Sequence, residues 1–315
     1  MKIIVTGGAG FIGSHLAKRL IEENHDVYII DCLHTYYSTD RKQQQLDCIN
    51  QYGSFHFFQK NLLDEKEIMN LFKEISPDAV IHLAVLPGVS YSIEKPLLYV
   101  DYDIKATINV LEASGKAGVS KVIFASSSSV YGNQEGPFKE EMANGNVISP
   151  YAASKFSAES FCKVYEYLYG YQINILRFFT VYGPWGRPDM AIGSFIKKLI
   201  RNEEITIFGE NSARDYTYID DIINGIYLSL VKLEKSEIIN IGNGNPVSMS
   251  ELLNEFKNYF PTMRIKKEDS RVGDVGETWA NIEKAKTLLG YEPKIHIKQG
   301  LSETIKWAIA NEKLL

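Results

Sequence analysis

Tyr151-Ala-Ala-Ser-Lys155 sets a phenol and an ammonium four residues apart. On a helix, positions i and i+4 share a face, so the two groups point the same way. A phenol titrates at about 10, and a neighbouring cation favours its ionised form, so the pair could furnish a base for abstracting a hydroxyl proton. Taken alone this spacing is common and describes a surface helix pair. The run Ala125-Ser-Ser-Ser-Ser129 supplies context, because its hydroxyls follow an apolar strand and could orient a substrate hydroxyl for proton removal. Away from such a site a serine run is only a turn.

A second chemical signal opens the chain. Lys2-Ile-Ile-Val5 is a short apolar run, Thr6-Gly-Gly-Ala-Gly10 is too glycine-rich for regular structure, and Phe11, Ile12, Leu16 and Leu20 repeat at helical spacing. Strand, tight turn and helix follow in that order. In Gly7-x-x-Gly10-x-x-Gly13 the first glycines permit backbone angles and close approaches that a side chain would block, and the last lets the helix pack on a sheet. A pyrophosphate can sit at the N-terminus of such a helix, where unpaired N–H groups favour an anion. Val27-Tyr-Ile-Ile30 reads as the next strand and ends at Asp31, about 20 residues on, where a carboxylate reaches an adenosine ribose. Asp31 would repel a 2′-phosphate, and no Arg or Lys follows before Arg41, so NAD is expected rather than NADP. The positive ring of oxidised nicotinamide would favour the Tyr151 phenolate, giving a base usable near neutrality, and Lys155 would hold the nicotinamide ribose.

These groups need a scaffold. Phe55 to Gln59, Ala79-Val-Ile-His-Leu-Ala84, Lys121-Val-Ile-Phe-Ala125 and Ile173 to Leu176 read as further strands, with helices over Glu65 to Glu74, Leu98 to Lys116 and Tyr151 to Tyr169. Cys32 to Tyr52 is polar and tyrosine-rich and carries no such pattern. Strands alternating with helices imply right-handed crossovers and an α/β doubly wound parallel sheet, with ligands at the C-terminal ends of its strands. Asp64 with Glu67 makes a capping box, and its place after the third strand also suits an adenine contact; both readings stand. Beyond Arg177 the texture changes to a rigid Gly183-Pro-Trp-Gly-Arg-Pro188 loop and shorter elements. We therefore expect a dinucleotide-binding domain over 1–176, a smaller C-terminal α/β substrate-binding domain over 177–315, and a return of 218–244 to the first. Ser248-x-x-Glu251 should cap one late helix, and Asn281 and Gly290 should bracket another.

With 45% hydrophobic residues in 315, the chain can bury a sizeable core. A net charge of −5 offers no basic field for nucleic acid or an anionic membrane, which points to a small metabolite. Three cysteines, Cys32, Cys48 and Cys162, have no paired spacing and imply neither a disulfide framework nor a metal site. There is no charged leader with an apolar stretch behind it, and no apolar run approaches the roughly 18 residues of a membrane span. A cytoplasmic location is the expectation.

The sequence resembles the extended short-chain dehydrogenase/reductase superfamily, whose fold is of the Rossmann type, and within it the nucleotide-sugar epimerases and dehydratases. The resemblance spans nearly the whole chain and rests on Thr6-Gly-Gly-Ala-Gly-Phe-Ile-Gly13, Val80-Ile-His-Leu-Ala84, Ser126-Ser-Ser-Ser-Val-Tyr-Gly132, Pro150-Tyr-Ala-Ala-Ser-Lys155, Leu176-Arg-Phe-Phe-Thr-Val-Tyr-Gly-Pro184 and Arg214-Asp-Tyr-Thr-Tyr-Ile-Asp-Asp221. It implies hydride removal from carbon 4 of a UDP-sugar to tightly held NAD, after which the ketone is re-reduced, dehydrated or decarboxylated. Tyr151 would be the base, Lys155 its partner and cofactor anchor, and Ser127, with Ser128 beside it, the assisting hydroxyl. Gly7, Gly10, Phe11, Ile12, Gly13, Asp31, Asp64 and Leu83 would line the cofactor site.

The turn around Ser127 separates the branches. Dehydratases carry an Asp-Glu pair there, which Ser128-Ser129 cannot replace, and decarboxylases of UDP-glucuronate usually have Glu where Ser129 stands. A serine-only turn resembles the epimerases. Gly183-Pro-Trp-Gly-Arg-Pro-Asp-Met190 is similar to the loop of UDP-glucuronate 4-epimerases, so Arg187 would meet the sugar carboxylate as a two-point clamp, with Thr180, Phe208, Arg214 and Arg271 on the UDP. A UDP-glucose or UDP-N-acetylglucosamine 4-epimerase is the next reading, then a decarboxylase or dehydratase; a dinucleotide-sensing regulator would need the glycine turn but not the base. The family's frequent Asn aligns with Asp103, its Gly with Ala106 and an Ala with Val85, departures that touch the wall of the cofactor pocket. The resemblance also implies a homodimer through the helices at 98–116 and 151–169.

Overall fold

The computed structural model describes residues 1–209, 212–269 and 275–315. Its first half alternates β1 (Lys2–Thr6), α1 (Phe11–Glu22), β2 (Asp26–Ile30), α2 (Thr39–Ile49), β3 (His56–Phe58), α3 (Glu65–Ile75) and β4 (Ala79–His82). The short helices α4 (Val89–Glu94) and α5 (Pro96–Tyr99), a π-helical stretch at Val100–Lys105 and α6 (Ala106–Lys116) lead to β5 (Lys121–Ser127), α7 (Pro150–Tyr169) and β6 (Gln172–Phe178). Then come β7 (Thr180–Tyr182), α8 (Ala191–Ile200), β8 (Ile205–Phe208), β9 (Ala213–Arg214), β10 (Tyr216–Tyr218), α9 (Ile219–Lys232) and β11 (Glu237–Ile241). The chain continues through β12 (Val247–Ser248), α10 (Met249–Lys257), β13 (Ile265–Glu268), β14 (Glu277–Thr278), α11 (Glu283–Leu289) and α12 (Ile297–Ala310).

Seven strands form one sheet in the order β11-β6-β5-β4-β1-β2-β3, and every pair is parallel. This is the doubly wound sheet expected from the strand-helix alternation. Because side chains alternate across a strand, Ile3 and Val5 enter the apolar layer on one face while Ile4 enters the layer on the other. Strands covered on both faces read as continuous apolar runs, and all of β4 is buried. The strand order reverses between β1 and β4, which leaves a crevice above their C-terminal ends. His82, the last residue of β4, has its ring nitrogens hydrogen-bonded to Thr6 at 2.6 Å and Thr107 at 3.0 Å.

The single helix expected over Leu98 to Lys116 is divided. Its first part widens to a π-helix around the buried Asp103, whose carbonyl accepts the Thr107 hydroxyl and whose carboxylate is engaged elsewhere. π-Helical stretches of this kind gather at functional sites. Ser248 and Glu251 form the expected capping box, and α11 lies between Asn281, which accepts Glu283 N–H at 3.1 Å, and Gly290 at φ +63°. Among the described residues, no helix is long and apolar enough to cross a membrane.

Candidate active site

The turn after β1 has room for backbone only. Gly7 lies at φ +72°, and a Cβ there would stand 2.8 Å from the Ala84 backbone; at Gly13 it would stand 2.2 Å from the Gly7 carbonyl oxygen. Helix α1 starts at Gly10 with no side-chain cap, so its first N–H groups remain available to an anion. Gly7, Gly10, Phe11, Ile12 and Gly13 all border a cavity of about 360 Å³ that fills the crevice. Asp31 borders it from the end of β2, its carboxylate accepting Ala9 N–H at 3.1 Å and Leu33 N–H at 2.8 Å. Leu83 borders it from the end of β4. A glycine cradle, an uncapped helix start and a ribose-height carboxylate fit a dinucleotide.

Arg41, the first cation after Asp31 in the sequence, points away from this end. Its two terminal nitrogens donate to Leu314 O and Gly186 O. Two lysines border the cavity on this side: Lys42, whose ammonium donates to His34 O at 2.7 Å, and Lys60, which is paired with Glu67. Asp64 caps α3, accepting Glu67 N–H at 3.1 Å, and lies off the lining, whereas Asn61 and Leu62 lie on it.

At the other end of the cavity stand Ser127, Ser128, Tyr151 and Lys155. Strand β5 delivers the serines at its C-terminal end, and α7 is started by the Ser149 hydroxyl, which caps Ala152 N–H, followed by Pro150 in the first turn. Tyr151 and Lys155 then project from one face of α7. Lys155 is 1% exposed; its ammonium donates to Ala125 O at 2.8 Å and lies 5.9 Å from the centre of the Tyr151 ring. Burial lowers its pKa to about 8, against the charges of Asp103, Glu159 and Cys162. Burial also raises Tyr151 above its ordinary value, and the Asp103 charge adds to the rise, while a hydrogen bond with Ser127 and the charge of Arg187 oppose it. The protein's own groups therefore do not bring the phenol down to neutrality. Desolvation outweighs its neighbours here, and Lys155 is turned toward the Ala125 carbonyl instead of the phenol oxygen.

Arg187 and Thr180 border the same cavity. The Arg187 fork is already paired: Nε donates to Asp189 Oδ1 at 3.1 Å and Nη2 to Oδ2 at 2.5 Å, while the Tyr36 hydroxyl donates to the same Oδ2 at 3.0 Å. The open two-point clamp expected from the sequence is thus held by an internal carboxylate, which takes Nε and Nη2. Phe208, at the end of β8, and Arg214, in β9 and donating to Ala213 O and Gly276 O, lie off the lining. Arg271 lies outside the described residues. The cavity also uses Tyr36, Tyr37 and Lys42, which sequence reasoning passed over. Their signal was the cluster of tyrosines and cations between Asp31 and Lys42, where an apolar pattern was sought.

A dinucleotide crevice joined to a Ser-Tyr-Lys group defines a pyridine-nucleotide enzyme acting on a carbinol carbon. The chain belongs to the NAD dependent epimerase/dehydratase family, whose model matches residues 3–242, and NAD is its cofactor. Among its relatives is the UDP-glucuronate 4-epimerase of Thermodesulfobacterium geofontis, 42% identical over 99% of this chain and 97% of that protein. A crystal structure of UDP-glucuronic acid 4-epimerase from Bacillus cereus, in complex with UDP-glucuronic acid and NAD, superimposes with a TM-score of 0.93 at 35% identity, covering 98% of this chain and 99% of the other. The UDP-glucose 4-epimerase of Thermotoga maritima with UDP-glucose gives a TM-score of 0.90 at 31% identity, covering 99% of this chain and all of the other.

Proposed function

We propose that this protein is a UDP-sugar 4-epimerase whose substrate pair is UDP-glucuronate and UDP-galacturonate. The observation that carries the reading is the convergence of Ser127, Tyr151, the buried Lys155 and the Arg187 guanidinium on one cavity. Bound NAD supplies a reversible hydride acceptor and a positive ring beside the base. Gly7, Gly10 and Gly13 would hold its pyrophosphate, Asp31 its adenosine ribose and Lys155 its nicotinamide ribose. Tyr151 takes the proton of the carbon-4 hydroxyl while Ser127 orients that oxygen, and a 4-keto sugar results. Once the sugar has turned its other face and carbon 4 regains a hydride, Tyr151 returns the proton to the carbonyl oxygen, which becomes the new hydroxyl. Ser128 and Ser129 offer neither the acid nor the base that water loss requires, which favours epimerisation over dehydration.

Arg187 recognises the carboxylate on carbon 6. Oxidation at carbon 4 makes a β-keto acid, which loses carbon dioxide when its carboxylate aligns with the ketone. Fixing the carboxylate out of that alignment protects the intermediate. The Asp189 pair favours a second reading, a neutral-sugar 4-epimerase, because a guanidinium already neutralised has less to offer a uronate. Thr180, Phe208, Arg214 and Arg271 are assigned to the UDP. Residues 1–176 with 218–244 would hold the dinucleotide and the remainder of 177–315 the sugar nucleotide. Exposed Val164, Tyr167 and Leu168 on α7, with Leu97 and Val100 nearby in sequence to α6, favour a homodimer packed through these helices, and three free cysteines favour the cytoplasm.

Incubation with a panel of UDP-sugars, read by NMR, tests the reading. Interconversion of UDP-glucuronate and UDP-galacturonate is expected; exclusive turnover of UDP-glucose selects the second reading, and accumulation of a UDP-pentose selects a decarboxylase.

A further inference from the structure

The segment that carries Arg187 is held from outside the cavity, by a residue of the dinucleotide half. Arg41 projects from α2 and is 3% exposed. Its Nη2 donates to Gly186 O at 2.6 Å and its Nη1 to Leu314 O at 3.1 Å. The guanidinium carbon lies 5.9 Å from the centre of the Trp185 ring and 5.5 Å from that of Trp307, which comes from α12, and the two indoles meet at 5.0 Å. One cation therefore ties together α2, the loop and the last helix, using a planar fork and two ring faces that a lysine could not serve at once.

The loop needs such a tie. Trp185 sits at φ +63°, a left-handed conformation that bulky residues seldom adopt and that persists only where the surroundings dictate it. Gly186 N–H closes a turn onto Gly183 O at 2.9 Å. The Gly186 carbonyl belongs to the peptide that leads into Arg187, so its orientation sets the direction from which the Arg187 side chain departs. Immediately after it, α8 packs so closely on the Arg187 carbonyl oxygen that a Cβ at Gly193 would stand 2.4 Å from it. The peptide before Arg187 is thus fixed by Arg41, and the peptide after it by α8.

We infer that Arg41 is a positioning residue for sugar recognition: by holding the Gly186 carbonyl and the Trp185 indole from behind, it aims Arg187 into the cavity and so sets the preference for a carboxylate-bearing sugar. This rests on the reading that Arg187 meets that carboxylate. A displacement of about 1 Å at such a group can cost on the order of 100-fold in rate, so loss of the tie should be felt in substrate choice and not only in stability.

The test uses the NAD-loaded protein in wild-type, Arg41→Ala, Arg41→Lys and Arg187→Ala forms. Affinity for UDP and for UDP-glucuronate is measured by calorimetry, kcat/KM for UDP-glucuronate by kinetics, and the thermal midpoint alongside. Arg187→Ala should lose UDP-glucuronate affinity while keeping that for UDP. Arg41→Ala should reproduce this selective loss at about 10-fold or more, and Arg41→Lys, able to reach one carbonyl but not both, should fall between. If Arg187→Ala is selective and neither Arg41 variant is, the inference fails while the carboxylate reading stands. If Arg41→Ala weakens UDP and UDP-glucuronate alike and lowers the thermal midpoint, Arg41 is structural and the inference is overturned. If Arg187→Ala leaves the preference unchanged, the carboxylate reading falls and this inference with it.

Discussion

Ser154 Oγ donates a hydrogen bond to Asp103 Oδ2 at 2.8 Å, which fastens a fully buried carboxylate to the residue immediately before Lys155. The other oxygen accepts Leu86 N–H at 2.8 Å, so the same carboxylate also fixes the segment after β4. Burial pushes the Asp103 carboxyl up to about 6, held back by the Lys155 charge, and lowers Lys155 to about 8, held back by Asp103 first and then Glu159 and Cys162. Between those two values both groups are charged.

Asp103→Asn should therefore move the alkaline limb of the activity profile. Removing a negative neighbour lowers the Lys155 pKa further, the ammonium is lost at a lower pH, and the fall in kcat begins earlier as pH rises. Glu159 remains, but its carboxylate is engaged by Arg177 at 2.7 Å and contributes less. A pH–rate series on both proteins checks the sign; an alkaline limb that stays in place removes Asp103 from the electrostatics of the site.

Tyr151→Phe should retain the fold and NAD while losing about 10²- to 10⁴-fold in turnover, the usual contribution of a positioned base. Ser127→Ala gives a finer test. The Ser127 hydrogen bond opposes the rise in the Tyr151 pKa, so its removal should shift the acid limb of the profile upward in pH. Near wild-type turnover by the Phe variant would show that another group takes the proton.

Much of this arrangement was legible in the sequence because it follows from local rules. The glycine turn, the apolar strands and the Tyr151/Lys155 spacing all state their geometry within a few residues, and the family resemblance added Leu83, Thr180 and Arg187, which border the cavity, together with Asp64, Phe208 and Arg214, which do not. Helix α2 was not legible, for a definite reason: Arg41, Lys42 and Gln45 are buried beside Leu46 and Ile49, so its inward face carries polar groups where an amphipathic pattern shows apolar ones. Those side chains are buried because they serve partners far along the chain, Gly186 and Leu314 for Arg41 and Ser14 for Gln45. The engagement of Arg187 by Asp189 was equally hidden. A two-residue spacing does not announce an ion pair, and Tyr36, which completes the contact, lies 153 positions away.

The cofactor preference can be checked directly. Asp31 keeps its carboxylate on the Ala9 and Leu33 N–H groups, Arg41 is committed to the Trp185 loop, Lys42 to His34 O and Lys60 to Glu67. None of these cations is turned to receive a 2′-phosphate. Titration of the cofactor-free protein should give tighter binding of NAD than of NADP, and Asp31→Ala should narrow the difference by removing the repulsion. Equal affinities in the wild type would refute the assignment.

The last prediction concerns the sugar. Arg187 lies close enough to Tyr151 for its charge to oppose the rise in the phenol's pKa, and it borders the same cavity, which fits a guanidinium meeting the sugar and not the UDP. Its fork is held by Asp189, and the Tyr36 hydroxyl gives Asp189 a second partner. A uronate can therefore be received beside Asp189 at the outer nitrogen Nη1, or across the fork if Asp189 stays on Tyr36 and releases Arg187. In both cases the substrate carboxylate meets a charged donor in a partly desolvated site, where such a hydrogen bond is worth roughly 1.5–3 kcal/mol. Arg187→Ala should accordingly reduce kcat/KM for UDP-glucuronate by about 10- to 100-fold and affect UDP-glucose far less. Arg187→Lys keeps the charge but not the fork, and should recover binding better than it recovers control of the carboxylate's orientation. That difference has a chemical signature, since a β-keto acid whose carboxylate can rotate loses carbon dioxide. Steady-state kinetics on both sugars, with a search for UDP-pentose in each variant, reads both effects. An equal loss on the two sugars would place Arg187 in the structure of the loop instead of in recognition, and a wild-type preference for UDP-glucose would make the neutral-sugar epimerase the better account.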